Sequence, residues 1–272
     1  MVIRTLAASD FETVFSTFAE AFSDYVVPFA PTREQLREML TRRGWVPELS
    51  VAAFEDERMV AFTLNGLDGE RGYDSGTGVV PSHRRRGLGR ELMEQSCDLL
   101  RAAGAREYVL EVIDTNTRAV ELYRSTGFVE TRGLQCWRYE SPSTDISAAN
   151  SSTRESSSFQ PADIVSEWRD VEPSWQNSDA SIARARDPHI LFGDAQGYAI
   201  LFPSSGDLAQ FAVRPDARRQ GVGTRLLQSA DALAGKPLRI MNVDERDAGI
   251  AAFLERSGAK KIVRQLELIR SL

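Results

Sequence analysis

Metal-ligating and thiol residues are scarce in this chain of 272 residues, which contains two cysteines and two histidines. Cys97 and Cys136 lie far apart without CxxC or mixed Cys/His spacing, so neither a disulfide framework nor a zinc site is indicated, and both read as packed thiols. His83 and His189 are too few for a histidine-rich metal centre or a conventional Ser/His/Asp triad. Any catalysis therefore falls to carboxylates and tyrosine, with no metal. No run approaches the roughly 20 apolar residues that span a bilayer, and the N-terminal MVIRTLAASD lacks an apolar signal core, which points to a cytoplasmic chain without a membrane partner. Positive charge is not in excess either. The net charge of -6 disfavours a nucleic-acid partner and mildly favours a cationic acceptor through long-range attraction.

What is present suits a folded chain. Hydrophobic residues at 42% and charged residues at 26% can build cores and keep the protein dispersed, and the length suits two domains. Residues 141–158 read SPSTDISAANSSTRESSS, a serine-rich stretch with no apolar periodicity, which sets a linker between a domain at 1–140 and another at 159–272. The two halves then align with each other. VVPSHRRRGLGR (residues 79–90) matches VRPDARRQGVGT (213–224), and VELYRSTGF (120–128) matches AAFLERSGA (251–259) at nearly the same interval. Two similar domains arising by duplication account for both matches.

In the first half, Ser9 with Glu12 and Thr32 with Gln35 form capping-box patterns. They predict helices reaching about Phe22 and Gly44. LSVAAFEDE (49–57) and RMVAFTLNGL (58–67) predict a hairpin, and a third strand enters the Val79 motif. Leu88, Leu92, Leu99 and Leu100 mark one face of a helix before Gly104, and EYVLEVI (107–113) is a short buried strand, which implies a parallel crossover. A helix from about Thr115 to Thr126 stops at Gly127, and two further strands follow. The second half repeats this order from about His189, behind a shorter front end with room for two helices around Trp168 and Ser181. The fold class is therefore mixed α/β, with a central mixed sheet and flanking helices in each of two tandem domains.

Arg84, Arg85, Arg86, Gly87, Leu88, Gly89 and Arg90 follow a strand and open a helix, so main-chain N–H groups gather at the positive end of a helix dipole. Glycine at 87 and 89 lets a phosphate approach the backbone, and arginines add charge-assisted hydrogen bonds, so a pyrophosphate suits the site. GxxxxGK[ST] is absent and Leu92 replaces the last glycine of GxGxxG, which removes the P-loop and Rossmann readings.

With its VxP entry and the downstream NxxAxxLYxxxGF pattern, this RxxGxG segment resembles the GCN5-related N-acetyltransferase superfamily over most of residues 1–140. The resemblance implies acetyl-CoA as cosubstrate, with its pyrophosphate on the motif's amides. Its pantetheine arm would lie along the preceding strand at Val79 and Val80, and two parallel strands ending near Val80 and Ile113 would splay to admit the thioester. Asn116 becomes a further contact to CoA, although asparagine is equally suited to starting the helix there. The second half carries the glycine motif at Arg218, Gly221 and Gly223, with Val213 and Arg219 beside them, as a second CoA site, but copies the remainder poorly.

Acetylation of an amine needs a base for the ammonium proton and an acid for the departing thiolate. Glu111, between Val109 and Ile113 on one strand face, and Tyr123, two helical turns from Asn116, supply that pair. The arrangement is similar to that of ribosomal-protein alanine N-acetyltransferases, with Glu in LEV as base and Tyr in LYxxxGF as acid. Structural roles for both remain open, as an arginine partner and a packed ring. In the second half Leu254 and Asn242 replace them, which implies a weak or inactive domain that caps the first or shapes its acceptor cleft; Asp244 and Glu245 stand nearby as an alternative base. Asp24 and Tyr25, in AFSDYVVPF (21–29), lie where members of the superfamily meet acceptors. The leading expectation is an N-acetyltransferase, monomer or homodimer, acting on a small-molecule amine or a protein N-terminus. A CoA-binding regulatory or scaffold protein is the alternative.

Overall fold

Local chemistry sets the first helices of the computed structural model, which describes residues 1–27, 29–141 and 166–272. Strand β1 (Val2–Thr5) leads into a 3-10 turn and α1 (Phe11–Ala21). No side chain caps α1, in place of the Ser9–Glu12 box; Asp10 instead closes the preceding 3-10 turn, its carboxylate accepting the Ala7 N–H at 2.8 Å and pairing with Arg4. Helix α2 (Arg33–Arg42) does begin with the Thr32–Gln35 capping box, Gln35 N–H reaching the Thr32 hydroxyl at 3.2 Å and Thr32 N–H the Gln35 side chain at 2.8 Å. The hairpin follows as β2 (Val51–Glu55) and β3 (Arg58–Asp68), then β4 (Arg71–Val79), α3 (Leu88–Ala102), β5 (Glu107–Ile113) and α4 (Thr117–Ser125). One eleven-residue strand, β6 (Val129–Tyr139), occupies the place of the two expected strands.

Beyond residue 141 the serine-rich linker lies outside the described residues. Around Trp168 there is a single 3-10 turn, and around Ser181 a six-residue helix, α5 (Asp179–Arg184). Then come β7 (Ile190–Asp194), β8 (Gly197–Phe202), β9 (Asp207–Val213), α6 (Val222–Ala234), β10 (Leu238–Asp244), α7 (Ala248–Arg256) and β11 (Lys260–Ser271).

The chain divides into two units. The first comprises Met1–Arg132, Asp179–Arg186 and Leu266–Leu272, and the second Gly133–Ser178 and Asp187–Gln265. This differs from a cut at the serine-rich segment: residues 133–140 fall in the second unit, and two short pieces of the C-terminal half fall in the first.

In unit 1, β1 to β4 pair antiparallel and β4 pairs parallel with β5. Alternation divides the side chains between two layers. Ala52, Phe62 and Leu64 pack with Phe11, Val14 and Phe18 of α1 and Leu36 and Leu40 of α2, whereas Val51, Ala53 and Ala61 meet Leu88 and Leu92 of α3. Tyr108, Leu110 and Val112 of β5 pack with α3 and with Val120 and Tyr123 of α4. Beyond β5 the sheet is completed by the end of β11. Leu266 and Leu268 enter the α3–α4 core, Arg270 donates to the Thr126 carbonyl at 2.6 Å, and Leu272 N–H bonds Arg106 O at 2.9 Å. Unit 2 repeats the plan with β7, β8 and β9 antiparallel, β9 parallel to β10, and residues 133–139 of β6 on the far side of β10. Trp137 and Tyr139 therefore sit in the core of the second unit with Leu201, Leu227, Leu238 and Leu254.

No helix among the described residues is long and apolar enough to cross a membrane.

Candidate active site

The cleft of unit 1 begins where two strands stop pairing. Registered pairs between β4 and β5 run from Arg71↔Glu107 to Tyr73↔Val109, although β4 continues to Val79 and β5 to Ile113. At the same point β4 carries a bulge. Leu64↔Gly76 is followed by Asn65↔Asp74, leaving Ser75 as the extra residue and turning the strand away from its neighbour. The expected splay of two parallel strands is thus present, and the bulge supplies its physical cause.

The glycine motif closes the end of this cleft. Arg85 and Gly87 adopt left-handed conformations, φ 63° and 84°, and Gly87 is the N-cap of α3. The first amides of the helix have no intrahelical acceptor and face outward, with Arg85 and Arg86 exposed beside them. A Cβ built on Gly87 would meet nothing within 4 Å, so the space over these amides is open, as an approaching phosphate needs. Gly89 has a different task. Its Cβ would lie 3.0 Å from Leu122, so this glycine lets α3 and α4 pack closely.

Three of the four arginines are held by protein, Arg86 through the Ser82 carbonyl at 3.2 Å. Arg84 donates to both oxygens of Asp24 at 2.6 and 2.7 Å and to the carbonyls of Val79 and Ala21, tying the end of β4 to the segment after α1. Asp24, whose pKa this hydrogen bond lowers, is correspondingly committed to an arginine rather than open to an amine. Arg90 donates twice to Ser125 at the end of α4. Val80 is buried in the core under α3.

Deeper in the cleft lies a polar cluster. Tyr123 is buried, and its hydroxyl donates to Asp74 Oδ2 at 3.4 Å, a long hydrogen bond. Asp74 also accepts from the Gly76 N–H and the Thr77 hydroxyl, each at 2.8 Å. Burial pushes its pKa up to about 6, against the opposing pull of those donors and of Arg43. Burial likewise holds the Tyr123 hydroxyl well above the ordinary tyrosine value, with the Asp74 charge adding to it. Half-buried Tyr25 reaches this cluster; burial raises its pKa, and a hydrogen bond with Asn116 opposes the rise. Asn116 is the N-cap of α4, its side chain accepting the Ala119 N–H at 3.4 Å. Glu111 stands apart from Tyr123. Residues 108, 110 and 112 of β5 fill the α3–α4 side, so alternation sends Glu111 to the opposite face, where the Tyr73 hydroxyl donates to it at 3.2 Å.

Asp74 was missed at the level of sequence. Its signal was the one carboxylate in RGYDSGTGV, set in the interior of a strand otherwise rich in small and uncharged side chains.

Unit 2 repeats the glycine turn of unit 1 and differs at the positions of its polar cluster. Arg219 and Gly221 repeat the left-handed pair at 60° and 82°, and Arg218 repeats the clamp, pairing with Asp170 and donating to the carbonyls of Trp168 and Val213. A cavity of about 630 Å³ opens beside this loop, walled by Val213, Gly223, Asn242 and the stacked rings of Phe211 and Phe253. Leu254, Asn242 and Leu208 stand at the positions of Tyr123, Glu111 and Asp74. The two alternative carboxylates are engaged: buried Asp244 pairs with Arg246, and Glu245 pairs with Arg264, which lowers its pKa.

A model of the acetyltransferase (GNAT) family matches residues 14–128, and a second acetyltransferase (GNAT) domain model matches residues 181–258, together more than half of the chain. The protein belongs to the GNAT acetyltransferase family and carries two GNAT domains. Among curated relatives, the [ribosomal protein bS18]-alanine N-acetyltransferase of Salmonella typhimurium is 37% identical over 82 residues, 30% of this chain and 55% of the relative. N-alpha-acetyltransferase 30 of Schizosaccharomyces pombe is 30% identical over 104 residues, 36% of this chain and 68% of the relative. The chain thus spans about half the length of the first of these. Two solved structures share the fold over nearly the whole chain. A GCN5-related N-acetyltransferase from Sphaerobacter thermophilus has TM-score 0.74 at 16% identity, with 99% of this chain and 95% of that one covered. A tandem GNAT protein from the clavulanic acid biosynthesis pathway has TM-score 0.64 at 16% identity, with 99% and 98% covered.

Proposed function

We propose that unit 1 is an N-acetyltransferase that moves an acetyl group from acetyl-CoA to an amine by direct attack. The observation that carries this reading is the alignment of three features along one cleft: open amides at Gly87, a gap between β4 and β5, and the buried Tyr123 hydroxyl. The Gly87 loop holds the pyrophosphate, Arg85 and Arg86 add screened positive charge, and the end of β4 near Val79, beyond its registered pairs with β5, offers main-chain groups to the pantetheine arm. Tyr123 gives its proton to the departing thiolate. Glu111, on the other face of β5, takes the proton that an arriving ammonium must lose before its nitrogen can attack. Tyr25 stands on the acceptor side. The acceptor class is a primary amine of a small molecule or of a protein N-terminus, in keeping with a relative that acetylates an alanine of a ribosomal protein.

In unit 2 the repeated loop and the apolar cavity support CoA binding without transfer, because Leu254 has no proton to give. Calorimetric titration of acetyl-CoA into the intact protein and into Gly87→Glu tests both statements. Two sites are expected for the wild type and one for the variant, with the lost site carrying all turnover against a panel of small amines, amino acids and peptides with free N-termini. Absence of binding to the folded wild-type chain overturns the reading.

A further inference from the structure

Among the described residues Asp74 is the carboxylate that accepts from Tyr123, and it sits where β4 leaves β5, on the bulge that opens the cleft. Thr77 and the Gly76 amide fix its two oxygens, and Tyr25 approaches from the segment after α1, on the acceptor side. The proton on Tyr123 is therefore directed at Asp74 in the resting protein. A tyrosine that must protonate sulfur next to a buried carboxylate leaves two adjacent negative charges unless that carboxylate already holds a proton.

We propose that Asp74 is a catalytic proton relay, taking a proton from the attacking nitrogen and returning it to Tyr123 as Tyr123 protonates the leaving sulfur. The proposal rests on the transferase reading of the same cleft. The neutral amine attacks the thioester carbonyl, a C–N bond forms, and the carbonyl π pair moves to oxygen. Asp74 takes the proton that the cationic nitrogen must lose. When the oxygen pair re-forms the C=O bond and the C–S bond breaks, the sulfur takes the Tyr123 proton, and Asp74 hands its proton to the phenolate. One proton passes from nitrogen to sulfur, and both side chains end as they began. Glu111 serves the earlier deprotonation of the ammonium from the opposite face of β5.

The groups around Asp74 allow a single titration to be assigned. Arg43 at the end of α2, Tyr25 after α1, Tyr73 beside it on β4, Tyr108 on β5 and Tyr123 on α4 are its charged and titratable neighbours. Asn65 of β3 lies opposite it, and α3 contributes Met93, which meets Thr77. All four tyrosines are pushed above their ordinary value, burial being the first cause in each. Asp74 is thus the neighbour that changes charge near pH 6.

Two measurements on the full chain test the relay. Carbon NMR of protein labelled at aspartate Cγ, with no ligand present, reads the carboxyl directly. A resonance titrating near pH 6 that is missing from Asp74→Asn supports the relay, and its absence from the wild type overturns it. The pH profile of kcat is then followed with acetyl-CoA and the fastest amine of the panel. Asp74→Asn lowers kcat about 100-fold, abolishes the acid limb and leaves acetyl-CoA affinity in place. Thr77→Val keeps the carboxylate but removes a donor that stabilises its charge, so the limb moves to higher pH; this variant carries the test should Asp74→Asn fail to fold. Wild-type kcat and an unmoved limb in both variants overturn the relay while the transferase reading stands. Acetyl-CoA binding without turnover by any amine overturns both.

Discussion

Tyr123 and Asp74 show how one buried contact sets what a residue can do. A tyrosine held as a neutral donor suits the protonation of a thiolate, and Tyr123→Phe removes only the hydroxyl from a ring that packs at 5.9 Å from Phe128. The variant is expected to lose about 100-fold in kcat while its dissociation constant for acetyl-CoA, measured by calorimetry, stays within twofold. Unchanged turnover would remove Tyr123 from the chemistry. Asp74 also leaves a mark on stability. Its folded pKa of about 6 exceeds the ordinary carboxylate value, so the native state binds this proton more tightly than the unfolded chain does. That contribution is fully present below the unfolded pKa and is lost as pH rises through about 6, at a cost on the order of 3 kcal/mol. Asp74→Asn is therefore expected to gain thermal stability relative to the wild type between pH 4 and pH 8. A melting-temperature difference that stays flat over that range contradicts the burial argument.

At the scale of elements, the motif glycines and arginines separate into distinct jobs. Gly87 supplies a left-handed N-cap and open space, whereas Gly89 admits Leu122. Arg84 and Arg218 staple strand ends through the same set of carbonyl and carboxylate contacts, whereas Arg85 and Arg219 are exposed and Arg86, also exposed, donates to the Ser82 carbonyl. RxxGxG thus encodes one structural arginine, one left-handed turn glycine with open space over it and one packing glycine, a division that spacing alone cannot express. The closing strand teaches a related lesson. Leu268 is fully buried in the core of unit 1, although it belongs to the last few residues of the chain. Leu268→Ala is expected to lower unfolding free energy by about 2–5 kcal/mol in urea titrations, and to do so in the transition that also releases acetyl-CoA from the Gly87 site. A loss confined to a transition that leaves that site intact would place the strand elsewhere.

Across the whole molecule, the two GNAT domains share the left-handed glycine turn but differ at the positions of Tyr123, Glu111 and Asp74. In the second unit Leu254 is packed in the core, and the cavity is lined by Leu208 and by Phe211 stacked on Phe253 at 5.6 Å, with Asp170, Asp244 and Asp247 among its walls. Gly221→Glu is expected to abolish one calorimetric acetyl-CoA site and leave turnover in the Gly87 domain within twofold. Loss of turnover in that variant would show that the second site does more than bind. Periodicity and glycine spacing were enough to read the mixed α/β class, the hairpin, the crossover and the two glycine turns that open α3 and α6 from the sequence, because each depends on residues close together in the chain. Three things depended on pairs remote in sequence: Asp74 against Tyr123, Asp24 against Arg84, and Leu268 inside the first core. A bulge at Ser75 decides the first, by turning β4 so that its only carboxylate meets α4. A guanidinium with several donors decides the second, by gathering every acceptor within reach. The third follows from an edge strand that must pair with something, and in this protein the strand that satisfies β5 is supplied by the far end of the chain.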